Sequence, residues 1–251
     1  MRLKDVSRAL AVFAHPDDAE FSFGGTLAKL IGMGAEVDYV VCTDGCRGGP
    51  DPKMADAELA AVRSREQQDA AAVLGVKEVV FLGYRNGTLE VTPGLRRDIV
   101  RQIRRFRPDV IFTTPPYRVL EAHIGLSHAE HIAVGEATLI SVYPEAGSIR
   151  SYPELLDEGL APHTVSEVWI PAFDDANLLI DVDGEIDRKI AAICCHRSQV
   201  ERAGREAWDF ERDLAPRMRE AAKRLGCTYA ETFRVIETGP GRARQEAEDG
   251  R

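Results

Sequence analysis

The sequence predicts a single α/β domain with a Rossmann-like, largely parallel sheet flanked by helices. Three observations predict it. Short apolar runs of strand length alternate with stretches of helical apolar spacing, the signature of right-handed βαβ crossovers. The 251 residues fit one unit, since α/β folds reach about 250 residues as a single domain. No internal repeat or interdomain linker interrupts the pattern. The domain is expected over residues 1–238, with 239–251, rich in Gly, Arg and Glu, as a disordered tail.

The elements follow in order. "ALAVFA" (9–14) reads as a buried strand, and "GGTLAKLIGMGA" as a helix that ends at Gly32 or Gly34. "EVDYVVCT" (36–43) is the second strand. A helix over 56–74 places Leu59, Val62, Glu66, Ala70 and Val73 on one stripe. "EVVFLG" (78–83) is the third strand, 94–106 a helix, and "DVIFTT" (109–114) a fourth strand stopped by Pro115-Pro116. A helix is expected over 128–142, then an ordered excursion with a short helix over 143–165. "EVWIPAF" and "NLLIDV" read as strands, "EIDRKIAAICCHRSQV" as a helix, and 203–225 as a charged helical region broken near Pro216.

Composition excludes several classes. The net charge of −9, from 32 basic and 41 acidic side chains, argues against a nucleic-acid surface, which needs clustered positive charge. The one basic cluster, Arg96, Arg97, Arg101, Arg104, Arg105 and Arg107, alternates with Ile99, Val100, Ile103 and Phe106 and reads as a solvated helix face. No apolar run approaches the ~18–20 residues of a membrane span. "MRLKDVSRAL" lacks the apolar core and small-residue cleavage site of a signal peptide. The five scattered cysteines, Cys42, Cys46, Cys194, Cys195 and Cys227, form no metal-type spacing and suit a reducing, cytoplasmic compartment.

Ligands of open α/β sheets bind outside the carboxyl ends of the strands. The polar clusters His15–Asp18, Thr43–Arg47, Tyr84–Asn86 and Thr113–His131 all follow strands at that end. "HPDD" offers a histidine and two adjacent carboxylates, which a divalent cation would hold together; an ordinary loop with a helix cap is the competing account. In "SHAEH", His128 and His131 share a helix face. Ser127 and Glu130 there fit a capping box, which needs no function. Two such groups at one sheet edge favour a shared metal.

These motifs carry a resemblance. "AHPDDAE" followed by "GGT", with a later His-x-x-His, resembles the PIG-L/LmbE-like family of zinc-dependent N-acetylglucosaminyl de-N-acetylases. "TDGCRGG", "RSREQQDAAAVLGV", "PELLDEGLAPHTVSEVW" and "KIAAICCHRSQ" extend the similarity over residues 8–200. It implies a hydrolase that removes acetyl from an N-acetylglucosamine-type sugar or conjugate. His15, Asp18 and His131 would bind one Zn2+, and Asp17 would be the general base. His128, if protonated, would stabilise the oxyanion, and Arg63 and Asn86 would contact substrate. The ion would acidify a water whose proton Asp17 takes. Members often assemble, so a homo-oligomer is part of the expectation.

Three departures stand out. Glu130 replaces the family's usual Asp in His-x-Asp-His. Asn86, in "LGYRNG", replaces an acid used near the sugar hydroxyls. "PPYRVLEAHIGL" is unusual, and His123 in it reads as a loop histidine, an extra ligand or a lid residue. Asn86 and Glu130 keep open an amidase of thiol–sugar conjugates or a metal-dependent hydratase; a non-catalytic sugar-binding module ranks last, because the ligands and base are present. Other residues keep two accounts. His196 is buried and satisfied, or catalytic. His163 reads as structural. Arg63 and Glu66 could form an intrahelical pair. Glu20 could serve only the helix N-terminus, and Gly24-Gly25 only helix entry.

Overall fold

The first strand, β1 (Arg8–Phe13), is apolar on both faces because it lies in the middle of a sheet covered on both sides. A computed structural model describes residues 3–49, 53–118, 127–172, 175–201 and 207–238. Its further strands are β2 (Glu36–Thr43), β3 (Glu78–Tyr84), β4 (Val110–Thr113), β5 (Glu167–Pro171), β6 (Leu178–Asp181) and β7 (Ala230–Glu237). The sheet order is β3-β2-β1-β4-β5-β7-β6. The first five are parallel; β7 inserts antiparallel between β5 and β6.

Helices α1 (Asp18–Gly32), α2 (Asp56–Leu74), α3 (Pro93–Phe106) and α4 (Ala129–Ile140) are the crossovers. Shorter helices follow: α5 (Glu154–Asp157), α6 (Ile186–Cys195), α7 (Arg197–Val200), α8 (Phe210–Asp213) and α9 (Ala215–Ala222). Strand alternation divides the core in two. Ala9, Ala11 and Phe13 face a layer with Phe23, Leu27, Phe112 and Trp169, while Leu10 and Val12 face Ile99, Ile103, Val134 and Val168. The strand order reverses at β1, which has β2 on one side and β4 on the other. The crevice beyond the carboxyl ends of β1 and β4 is therefore the topological switch point.

Five local expectations are corrected. Helix α1 starts six residues before Gly24, at Asp18. The buried face of α2 is Leu59, Arg63, Gln67, Ala70, Ala71 and Leu74, and Val73 is exposed. An apolar-only stripe is thus one position out of phase, because two polar residues point inward. The cap of α4 is His128 and not Ser127: its Nδ1 accepts from the Glu130 N–H at 3.2 Å. The helix expected over 185–200 breaks at His196. Strand β7 has no counterpart among the strands expected from the sequence. The basic run on α3 is largely paired: Arg96 with Glu145, Arg101 with Asp98 and Glu158, and Arg105 with Glu78. Arg104 is buried and donates to the carbonyls of Ala146, Ser148 and Ser151. Among the described residues, no helix is long and apolar enough to cross a membrane. His123 and the tail from 239 lie outside the described residues.

Candidate active site

The loop after β1 turns the two adjacent carboxylates apart. Asp18 opens α1, and its Oδ2 folds back to accept from the N–H groups of Ala14 (3.2 Å) and His15 (2.8 Å). Its Oδ1 then faces His131 Nε2 at 3.0 Å. Asp17 takes φ 112°, a left-handed conformation uncommon outside glycine, and its side chain makes no helix cap. The backbone that splits the pair is held from beneath by α2. Gln67 Oε1 accepts the Asp17 N–H at 2.9 Å. Arg63 donates to Asp17 Oδ2 (3.1 Å), Pro16 O (2.5 Å) and Gly45 O (3.0 Å). A Cβ at Gly48 would meet Arg63 Nη1 at 2.2 Å, so a side chain there would have to displace this guanidinium.

Helix α4 supplies the opposite wall. His15 Nδ1 lies 3.2 Å from His131 Nε2 and 3.5 Å from the Asp18 carboxylate. Ligands about 2.0–2.1 Å from a tetrahedral ion stand roughly 3.3 Å apart, so the spacings among His15, Asp18 and His131 fit one ion. The donor set, two imidazoles and a carboxylate, suits zinc and related divalent metals. His128 also comes close: its ring nitrogen and those of His15 and His131 lie within 4.8 Å of one another. Because His128 Nδ1 accepts from a backbone N–H, its other nitrogen carries the proton and can donate outward. Burial and the neighbouring His15 and His131 hold this ring below its ordinary pKa. It is thus set up to donate in its neutral form.

Glu130 stands behind the site. Its Oε2 lies 2.8 Å from His15 Nε2 and accepts from Asn86 Nδ2 at 2.6 Å; its Oε1 accepts from the N–H groups of Gly87 and Leu89. Burial opposes this charge, but the His15 hydrogen bond and the two amides hold the carboxyl at about 2. For His15 burial likewise works against the charged ring, and Asp18 and Glu130 outweigh it, raising it to about 10. Burial also penalises Asp18, which His131 and His15 nonetheless keep well below the carboxylate range. Asp17 is pushed up, by burial first and then by Asp18, against the pull of Arg63.

The framework residues His15, Asp18 and Glu130 are 8, 9 and 3% exposed, whereas His128 is open to solvent. Arg63 and Asn86, expected to contact substrate, are 3 and 6% exposed. Arg63 is committed to the loop backbone and Asp17. Asn86 Oδ1 accepts from Arg47 N–H, and its Nδ2 is spent on Glu130. In this structure both side chains hold the groups in front of them. Sequence reasoning missed Gln67, gave Glu20 only a helix N-terminus role and left His196 undecided; the inward i, i+4 polar pair Arg63 and Gln67 was the available signal. His163 is structural, with Nε2 2.8 Å from the Pro108 carbonyl.

Comparison with known proteins fits this geometry. The family model described as GlcNAc-PI de-N-acetylase matches residues 10–142. The chain belongs to the PIG-L family. Among PIG-L relatives, the diacetylchitobiose deacetylase of Thermococcus kodakarensis is 30% identical over 240 residues, 92% of this chain and 84% of the relative. The 1D-myo-inositol 2-acetamido-2-deoxy-alpha-D-glucopyranoside deacetylase of Rhodococcus erythropolis is 31% identical, over 77% of this chain and 81% of its own. The solved N,N'-diacetylchitobiose deacetylase from Pyrococcus horikoshii superposes with a TM-score of 0.83 at 30% identity, over 94% of this chain and 85% of that one. The PIG-L match spans β1 to α4, the stretch that holds His15, Asp17, Asp18, His128 and His131.

Proposed function

We propose that this protein is a zinc-dependent hydrolase that removes the acetyl group from an N-acetylglucosamine-type sugar or conjugate. The observation that carries the reading is the convergence of His15 Nδ1, His131 Nε2 and the Asp18 carboxylate at 3.0–3.5 Å, with Asp17 turned out beside them. His15, Asp18 and His131 would hold the ion. When bound, it supplies Lewis acidity, polarising the amide carbonyl and bringing the pKa of a water towards ~7.

The chain's own groups do the rest. Asp17, raised by burial yet still 16% exposed at its side chain, accepts a proton from the attacking water. The water oxygen adds to the acetyl carbonyl carbon. His128 donates its ring N–H to the carbonyl oxygen as negative charge develops there. The C–N bond then breaks, and Asp17 returns the proton to the departing amine, giving acetate and a free amino sugar. Arg63 keeps Asp17 aimed by pairing with Oδ2 and by fixing the carbonyls on either side of the site. The reading includes a reducing cytoplasmic compartment, supported by five cysteines that are all free thiols, and assembly into a homo-oligomer, supported by the family resemblance.

The test is acetate release from a panel of N-acetylglucosamine, N,N'-diacetylchitobiose, inositol-linked and thiol-linked sugars, with zinc content measured alongside. Wild type should release acetate from at least one N-acetyl sugar. Asp17→Asn should bind zinc at wild-type stoichiometry and release none. Full activity in that variant overturns the base assignment. A zinc-loaded wild type that cleaves only thiol–sugar amides, or hydrates an alkene, overturns the deacetylase reading.

A further inference from the structure

Three polar side chains with 0% exposure have no part in the chemistry above: Glu20, Gln67 and His196. They touch in series. His196 Nε2 lies 3.1 Å from Glu20 Oε2, and Gln67 Nε2 donates to Glu20 Oε1 at 3.0 Å. Gln67 Oε1 then accepts the Asp17 N–H at 2.9 Å. The series starts at the break between α6 and α7, crosses the first turn of α1 and α2, and ends on the residue with φ 112°.

We propose that this buried series is an orientation lock for Asp17. Glu20, Gln67 and His196 are positioning residues that hold the backbone of Asp17 left-handed and so keep its carboxylate turned away from Asp18. The inference rests on the reading of Asp17 as the base.

A carboxamide has nearly the same shape either way round, with an acceptor at one end and donors at the other. A carboxylate only accepts. Glu20 therefore fixes the NH2 end of Gln67 towards itself, which leaves Oε1 for the Asp17 N–H. Turned the other way, Gln67 would set an NH2 against an N–H, and a buried amide would lose its acceptor. A non-glycine residue keeps a positive φ only where its surroundings over-determine it, and this hydrogen bond is one of the contacts that do so. His196 holds the second Glu20 oxygen; its own Nδ1 is buried with no hydrogen-bond partner among the described residues, so there the bond to Glu20 is the ring's one hydrogen bond. Glu20 lies two residues past Asp18, so lock and metal-binding carboxylate share one helical turn.

A swap of donor and acceptor tests the lock. Glu20→Gln frees Gln67 to sit either way round, and Gln67→Glu sets two carboxylates face to face. Each single variant should lose protection of the Asp17 amide against hydrogen exchange. Each should also lose roughly 10²-fold in kcat, the scale of a small misplacement of a reacting group, with KM and zinc affinity little changed. The double variant E20Q/Q67E restores every direction. The carboxamide now on α1 donates to the carboxylate now on α2, and that carboxylate accepts the Asp17 N–H. His196 donates to the oxygen of the α1 carboxamide. The double variant should regain both amide protection and rate. If the singles do not fold, recovery of folded, active protein by the double supports the lock equally. A single variant with full protection and rate, or a double no better than the singles, overturns it. Amide protection reads the lock even if Asp17→Asn proves active, so failure of the lock and failure of the base assignment are distinguishable.

Discussion

Glu130 Oε2 and His15 Nε2 meet at 2.8 Å across 115 residues of sequence, and Asn86 Nδ2 donates to the same oxygen at 2.6 Å. Two of the three departures from the family pattern, Glu130 and Asn86, are therefore in contact with each other. Glutamate is long enough to span from α4 to both His15 and the loop after β3. The neutral amide of Asn86 supplies a donor where an acid would bring a second negative charge.

Asn86→Asp should therefore displace Glu130 from His15 and weaken zinc binding. Groups that orient a metal-ligating histidine are worth about 10–100-fold in metal affinity, and Glu130→Gln should fall in the same range. Competition with a chromophoric chelator measures both. Wild-type zinc affinity in Asn86→Asp would show that the contact does not orient His15.

A second expectation concerns the opposite side of α1. Lys189 and Glu231 pair at 2.6 Å with side chains only 1 and 4% exposed. The Glu231 carboxylate accepts from the N–H groups of Gly25 and Thr26, just past Phe23, where α1 leaves helical geometry. It thus caps the restarted helix, and Lys189 offsets its charge. Lys189→Met leaves that carboxylate buried and unpaired, and should cost about 3–5 kcal/mol in urea unfolding. K189M/E231Q should recover part of the loss, since no uncompensated charge remains. A loss below about 1 kcal/mol in the single variant, the range of surface pairs, would count against a buried, mutually dependent pair.

Asp38 sets a pH dependence. It lies on β2 at 6% exposure, its Oδ1 has no hydrogen-bond partner among the described residues, and burial pushes its carboxyl from 3.8 up to about 6. As pH rises from 3.8 to 6, the unfolded chain releases this proton while the folded chain retains it. Stability from this group therefore falls through that window and stays low above it. Asp38→Asn should match wild type below pH 3.8 and be the more stable protein above pH 6. Urea midpoints across that range decide it; parallel curves would remove Asp38 as the cause.

The parallel half of the sheet was legible because β1, β2 and β4 are near-continuous apolar runs, which a strand buried on both faces requires. Strand β7 was not, because "AETFRVIE" carries a charge at every third position, and four helices separate it from its partners β5 and β6. The phase of α2 was misjudged for a related reason: Arg63 and Gln67 point inward to hold Asp17, and a count of apolar residues cannot see that. The grouping of His15, Asp17 and Asp18 was visible without the fold because they are near neighbours in sequence. Glu130 resembled a capping box, since Glu at that spacing serves a helix start equally well; its real partners lie 41 to 44 residues away on the β3 loop and 115 residues away at His15. Glu20, Gln67 and His196 contact each other only across three helices, so no local pattern announces them.

Glu231 sits on the last described strand, yet it caps amides in the first helix of the sheet, 205 and 206 residues earlier. A ribosome completes His15 to His131 well before it reaches Glu231; at about 5–20 residues per second the gap is on the order of ten seconds. Throughout that interval the nascent chain carries every group of the candidate site, while the restarted half of α1 has no carboxylate to serve it. Synthesis and maturation thus run in opposite orders: the residues made first are the ones whose helix is secured last.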